Sequence, residues 1–232
     1  MNSFTLKIIA LISMLCDHIY YSCFFSIPYF FLNCIGRIAF PIFAFQLSQG
    51  YIHTKSKKNY ILRLLLFAII SQLPFYLFQN SCNFDFGLNI GFTLLLGFLS
   101  ILAYDKISNS NILFPKGHIV NKILSLFVIF GIACLANILK VDYGMFGVLL
   151  ISCFYIFRNS KIYTLCSVIL LTLLHYAKYM LILNQFVYML ILAICTCLSL
   201  IFIFMYNKKE GPKCKYLFYA FYPLHLLMLS FI

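Results

Sequence analysis

Residues 4–25 read FTLKIIALISMLCDHIYYSCFF, an apolar run in which an acid and a histidine, Asp17 and His18, stand side by side. A run of this length and composition is typical of a transmembrane helix, which needs about 20 mainly apolar residues to cross the hydrocarbon core. An ionisable side chain inside a membrane costs on the order of 3 kcal/mol unless it faces protein or water. A chain that keeps two adjacent ones is expected to use them, so we predict that the chemistry lies here.

The composition places the whole chain in a membrane. Of its 232 residues, 64% are hydrophobic and only 9% are charged, which excludes a soluble globular domain. Run 4–25 has neither a basic n-region nor an A-x-A-like cleavage site, so we expect a retained span rather than a signal peptide. The net charge of +12 does not indicate a nucleic-acid partner, because the basic residues occupy short loops between apolar runs.

Nine apolar runs predict an all-α bundle of about nine transmembrane helices. We expect one domain, residues 1–232, without a soluble module. The predicted spans are 4–25, 34–52, 60–78, 88–104, 120–139, 144–157, 161–177, 184–206 and 216–232. The sixth run is short, which suggests a tilted or broken span.

The positive charges fall in alternate loops between these runs. They are Lys55, Lys57 and Lys58; then Lys106, Lys116 and Lys122; then Arg158 and Lys161; and finally Lys208, Lys209, Lys213 and Lys215. The intervening loops carry almost no basic residues, only Lys140 and Lys178, against Asp85 and Asp142. By the positive-inside rule, the N-terminus is predicted to be cytoplasmic and the C-terminus to lie outside.

Five polar residues are predicted to converge at the middle to outer depth of the membrane. These candidate catalytic residues are Asp17, His18, Arg37, Asp142 and His225. Neighbours on a helix do not face each other, so Asp17 cannot orient His18 directly and each needs a partner elsewhere. For Asp17, an ion pair with Arg37 and a direct chemical role are both compatible with the sequence. Arg37 is predicted near the start of the second span, where Pro41 loosens the helix.

A second polar set leads to the predicted cytoplasmic face. Gln46, Gln49 and His53 form a stripe along the second span, which indicates either interhelical hydrogen bonds or a polar route. Below it lies a basic cluster, Lys55, Lys57, Lys58 and Arg63. This cluster has two interpretations. It either sets the membrane topology and attracts anionic lipids, or it forms an entrance that binds phosphate groups. The ten cysteines show no zinc or redox spacing, so no metal site is predicted.

The chain resembles the TraX family, named for a conjugal-transfer protein that acetylates the N-terminus of F-type pilin. The matching stretches are LKIIALISMLCDHI (6–19), IGRIAFPIFAFQLSQGYIHT (35–54), YILRLLLFAIISQLPF (60–75), NIGFTLLLGFL (89–99), DYGMFGVLLI (142–151) and LFYAFYPLHLLML (217–229). Together they cover most of the chain. The family looks related to a wider group of membrane acyltransferases, in which a membrane-embedded histidine is thought to be catalytic. The matching histidine here is His18.

The resemblance implies an integral protein of the bacterial cytoplasmic membrane that uses acetyl-CoA as cosubstrate. His18 would be the general base, with Asp17 or Asp142 holding or balancing it and Arg37 steadying Asp17 or an oxyanion. CoA would be bound by seven residues: the cluster of Lys55, Lys57, Lys58 and Arg63, with His53 beside it, would hold the phosphates, and the pantetheine arm would pass Gln49 and Gln46. The acceptor would be an amine or hydroxyl of a peptide such as a pilin, or of a glycan or small molecule. A proton-coupled transporter and a non-catalytic component of a conjugation or secretion apparatus remain alternatives; haem binding is a distant third.

Overall fold

The computed structural model describes residues 1–23, 27–110, 118–183, 185–212 and 215–232. Its helices are α1 (Ser3–Cys23), α2 (Phe30–Gly36), α3 (Ala39–His53), α4 (Lys57–Ser81), α5 (Ile90–Ser108), α6 (His118–Ile138), α7 (Gly144–Ile156), α8 (Lys161–Leu183), α9 (Phe186–Phe204) and α10 (Lys215–Leu229). A 3-10 turn, Ile27–Tyr29, precedes α2. Lys116 and Lys213, which contribute to the predicted topology, lie outside the described residues.

The predicted all-α bundle of about nine spans is confirmed for the described part of the chain. Seven helical stretches are long and apolar enough to cross a membrane, and two shorter apolar helices, Gly144–Ile156 and Leu217–Leu229, accompany them. With 13 residues, α7 extends about 20 Å at 1.5 Å per residue. That is shorter than a hydrocarbon core of about 30 Å, in agreement with the short sixth run.

The second span is longer than predicted and is broken in the middle. It covers Phe30–His53 rather than 34–52, and the helix is interrupted between α2 and α3. Pro41 supplies the physical reason, because it lacks the N–H that would bond the carbonyl of Arg37 in a continuous helix. The expectation that Arg37 begins the span is therefore wrong: Arg37 lies at the break, within the bundle.

The basic loops meet at one end of the bundle. There the hydroxyls of Tyr51 and Tyr155 donate to the two carboxylate oxygens of Asp105, at 2.9 and 3.0 Å. The start of the chain pairs with the segment after α9, where the Ser3 N–H donates to the Lys209 carbonyl at 2.8 Å. At the opposite end, residues 88 and 141 form a single parallel bridge. The loops predicted to be cytoplasmic therefore share one face.

Apolar side chains fill the core between α5 and α7 next to the basic end. Phe98, Ile101, Leu150, Ile151 and Phe154 are each at most 1% exposed. Burying large side chains from two facing helices stabilises the bundle through close packing. Two serines are buried among these side chains, and their hydroxyls, Ser100 Oγ and Ser152 Oγ, join α5 to α7 at 2.8 Å.

Candidate active site

A cavity of about 440 Å³ lies between α1, α4, α8, α9 and α10, and is also lined by the break from α2 to α3 and the connection from α6 to α7. Its size is within the usual range of small-molecule sites. Four of the five candidate catalytic side chains line it: Asp17, His18, Arg37 and Asp142. The fifth, His225, is 6% exposed and contacts the cavity through His18.

Asp17 and Arg37 form an ion pair, one of the two roles that the sequence left open for Asp17. The Nη2 group of Arg37 donates to both carboxylate oxygens, at 2.6 Å for Oδ2, and Asn33 Nδ2 donates to Oδ1 at 2.8 Å. Both charged side chains are largely buried, with 12% and 15% of their surface exposed. Such a pair is costly to break, because removing one partner leaves an uncompensated buried charge.

Gly36 allows this pair to form. A Cβ atom at position 36 would overlap the side chain of Asp17, so α1 and α2 can approach this closely only at glycine. The ion pair also leaves part of the guanidinium unused. Arg37 Nε is buried and has no hydrogen-bond partner among the described residues. One N–H donor of Arg37 is thus available inside the protein.

The two histidines form a hydrogen-bond chain with a defined direction. His225 Nδ1 lies 2.8 Å from the carbonyl of Phe221, which can only accept, so this nitrogen carries the proton. In a neutral ring His225 Nε2 is then an acceptor, and it lies 2.7 Å from His18 Nδ1. His18 Nδ1 must therefore donate. The remaining nitrogen of neutral His18, Nε2, carries a lone pair and can take up a proton.

Asp142 is held in the cavity wall by its backbone. Its N–H donates to the carbonyl of Leu88 at 2.8 Å, and its own carbonyl accepts from the hydroxyl of Thr93. Among the described residues the only ion pair within 4 Å is Asp17–Arg37, so the Asp142 carboxylate has no cationic partner at that distance. Burial raises the pKa of this loop carboxyl to about 6, although the positive charge of Arg37 acts in the opposite direction.

The neighbouring Tyr143 adopts an uncommon backbone conformation. Its φ of 61° is left-handed, which is unfavourable for a residue with a side chain. The strain is offset by packing, because the Tyr143 ring stacks on Phe40 with centroids 3.9 Å apart and planes 13° apart. Strain of this kind is concentrated at functional sites in proteins. It fixes the wall of the cavity next to Asp142.

The seven residues assigned to CoA binding are not brought together with this cavity, and none of them lines it. Gln46 bonds to the start of α1, accepting from Ser3 Oγ at 2.8 Å. The ammonium of Lys57 donates to the Tyr51 carbonyl and lies 3.6 Å from the centre of the Tyr51 ring. Gln49 is half-buried, and the exposed members of the set are His53, Lys55, Lys58 and Arg63. The polar stripe is therefore not an open route to His18.

The sequence reasoning missed two parts of the site. Asn33 is completely buried and orients Asp17, and the signal for it was a lone amide in the apolar stretch FFLNCIG. His175, which the sequence analysis did not place in the site, also lines the cavity. Its ring stacks on Phe146, with centroids 4.4 Å apart. Tyr176 and Tyr179 continue this aromatic wall from α8.

A bundle of apolar helices that encloses an ionisable cavity defines a polytopic membrane protein with an internal polar site. A family model described as TraX protein matches residues 3–232, so the chain belongs to the TraX family. The chain is also 29% identical over 246 residues to a Dichelobacter nodosus protein described as probable fimbrial assembly protein FimC, serogroup H1. That alignment covers 98% of this chain and 94% of the relative. No solved structure matches the chain.

Proposed function

We propose that this protein is a membrane-embedded acyltransferase of the bacterial cytoplasmic membrane. It passes an acetyl group from cytoplasmic acetyl-CoA to an amine or hydroxyl acceptor at or beyond the membrane. The observation that carries this proposal is the directed chain from the Phe221 carbonyl through His225 to His18, which leaves His18 Nε2 as a proton acceptor. A neutral imidazole suits general-base catalysis near pH 7.

The proposed reaction balances with the groups present in the cavity. The acceptor nitrogen or oxygen attacks the thioester carbonyl carbon while its proton goes to His18 Nε2. The carbonyl electron pair moves to oxygen, where the free N–H of Arg37 is the candidate donor to the negative charge. The C–S bond then breaks, the carbonyl re-forms, and the thiolate leaves as CoA-SH with the proton from His18.

His225 supports both protonation states of His18 in this scheme. Its Nε2 accepts from His18 Nδ1 at 2.7 Å whether the His18 ring is neutral or has taken up the acceptor proton. Asp17 keeps Arg37 in place through the ion pair, and Asp142 supplies a negative charge to the cavity. Arg37, held in this way, stabilises the negative charge on the substrate oxygen, and Asp142 stabilises the positive charge on protonated His18.

The exposed basic residues at the other end are proposed to hold the CoA phosphates. His53, Lys55, Lys58 and Arg63 are accessible at the face predicted to be cytoplasmic. Since this set does not line the cavity, the acyl arm has to cross the bundle to reach His18. We therefore expect the helices to separate when the donor binds.

The relative's description bears on the acceptor. A probable fimbrial assembly protein that aligns over 94% of its length favours a subunit of a surface appendage as the acceptor of this chain. The same description favours the second candidate, a non-catalytic membrane component of an assembly apparatus. The two candidates differ in whether acetyl groups move and in whether His18 is needed.

Membrane vesicles with and without this protein separate the two candidates. Acetyl-CoA carrying a labelled acetyl group is supplied, and the label is measured in the protein, glycan and lipid fractions. If the protein is an acyltransferase, one of these fractions is labelled in vesicles that contain the protein and not in vesicles that lack it. Appendage assembly that requires the protein, with no label transferred to any fraction, would support the assembly candidate instead.

A further inference from the structure

The hydroxyl of Tyr222 is a buried polar group that the mechanism above does not use. Tyr222 is 4% exposed and lines the cavity. Its hydroxyl oxygen is buried beside the backbone N–H of Ile90, which can only donate, and its own O–H has no acceptor among the described residues. An unmade hydrogen bond at a buried site destabilises a fold, so native proteins satisfy nearly all such groups.

Three other buried tyrosines in the described structure have partners for their hydroxyls. Tyr51 and Tyr155 donate to Asp105, at 2.9 and 3.0 Å, and the Tyr176 hydroxyl lies 3.2 Å from Thr196 Oγ1. An apolar phenylalanine would fill the position of Tyr222 without an unsatisfied oxygen. The presence of the oxygen in a cavity wall therefore points to a partner that occupies the cavity.

The ring of Tyr222 belongs to the same group of side chains as the two histidines. Its centroid lies 6.5 Å from that of His18 and 5.8 Å from that of His225. Phe67 of α4 packs on it at 5.5 Å. These contacts fix the ring of Tyr222 in the cavity wall, next to the two histidines.

We propose that the Tyr222 hydroxyl donates a hydrogen bond to the carbonyl oxygen of the acyl group as that oxygen becomes negatively charged. This role rests on the proposed acyltransferase function. Tyr222 transfers no proton; it stabilises the tetrahedral intermediate together with the free N–H of Arg37, while His18 takes the acceptor proton. Two fixed donors in a site sheltered from water are the usual composition of an oxyanion hole.

A single-atom change tests this role. Tyr222→Phe removes only the hydroxyl oxygen, so we expect an unchanged fold, unchanged acetyl-CoA binding and a kcat lowered by about 10²-fold. KM is expected to change little, because the lost bond is formed mainly in the transition state. The thermal midpoint is expected to change little, because the removed O–H donates to no acceptor among the described residues.

Tyr155→Phe is the matched control. It also removes a buried tyrosine hydroxyl, but that hydroxyl is bonded to Asp105 at the opposite end of the bundle. This variant is expected to lower the thermal midpoint and to leave kcat within about threefold of the unaltered protein. The two variants thus separate loss of chemistry from loss of stability.

The possible results separate the role of Tyr222 from the acyltransferase function on which it rests. A folded Tyr222→Phe protein with normal kcat, in an assay where His18→Ala is inactive, would refute the role of Tyr222 and leave the acyltransferase function standing. No acetyl transfer by the unaltered protein would overturn both. A Tyr222→Phe protein with a lowered thermal midpoint and normal kcat would show that the hydroxyl is structural.

Discussion

His18 Nδ1 and His225 Nε2 lie 2.7 Å apart, which joins the first and last described helices by a hydrogen bond at the cavity. The carbonyl of Phe221 fixes the direction of this bond, because it can only accept from His225 Nδ1. The two residues are 207 positions apart in the chain. Their contact turns His18 from an isolated intramembrane histidine into a ring with one free, basic nitrogen.

The role of His225 can be tested with two substitutions of different chemistry. His225→Leu removes the acceptor for His18 Nδ1, so we expect kcat to fall by about 10²-fold, the usual value of a positioned acid–base group. His225→Gln keeps an amide oxygen that can accept the same bond and should retain more activity than His225→Leu. The measurement is acetyl transfer at saturating acetyl-CoA. Equal activity of the leucine variant and the unaltered protein would contradict the relay.

The buried ion pair predicts a non-additive effect on stability. Asp17→Asn leaves Arg37 as an unpaired buried cation, and we expect a loss on the order of 3 kcal/mol. The double variant Asp17→Asn/Arg37→Gln has no unpaired charge and should be more stable than Asp17→Asn alone. Thermal unfolding in detergent measures both. A double variant whose loss of stability equals the sum of the losses of Asp17→Asn and Arg37→Gln would show that the charges are not coupled.

Gly36 is predicted to be required for the site geometry. Gly36→Ala places a methyl group against the side chain of Asp17, so the α1–α2 contact must widen, at a cost of about 2 kcal/mol. The ion pair and acetyl transfer should be impaired together. Gly131→Ala is the control, because a Cβ atom there meets nothing within 4 Å. If Gly36→Ala and Gly131→Ala have the same stability and the same rate of acetyl transfer, the close approach of α1 and α2 at Gly36 is not required.

The exposed basic cluster predicts salt-sensitive donor binding. Charge reversal at Lys55 and Lys58 should weaken acetyl-CoA binding, and added salt should weaken it further because exposed charges are screened. Lys57 is unsuitable for this test because its ammonium contacts Tyr51. Reversal at Lys140 and Lys178, in the loops predicted to lie outside, is the control. Binding that neither reversal nor salt alters would leave the cluster as a topology signal only.

The sequence predicted the helical bundle because apolar runs separated by basic loops are a local property of the chain. It left two roles open for Asp17, an ion pair with Arg37 and a direct chemical role, and the structure shows the ion pair. The position of Arg37 was wrong by several residues. Pro41 loosens only the turn that precedes it, which the sequence shows. How far the helix extends before that turn depends on packing, which the sequence does not show.

The remaining parts of the site could not be read from one sequence. The contact between His18 and His225 depends on how α1 and α10 pack, and the chain leaves many possible pairings open. Gln46 and Gln49 share a stripe with His53, yet Gln46 is occupied by Ser3 at the start of α1. A periodic pattern shows which residues share a face, but it does not show what that face meets.

The most direct test of the central claim is the rate of acetyl transfer by His18→Ala in membrane vesicles, with acetyl-CoA binding measured on the same preparation. As the proposed base, His18 is needed for transfer but not for holding the donor. We predict normal acetyl-CoA binding and a rate lowered by about 10²-fold or more. A His18→Ala protein that is folded, binds acetyl-CoA and transfers acetyl groups at the normal rate would contradict the account.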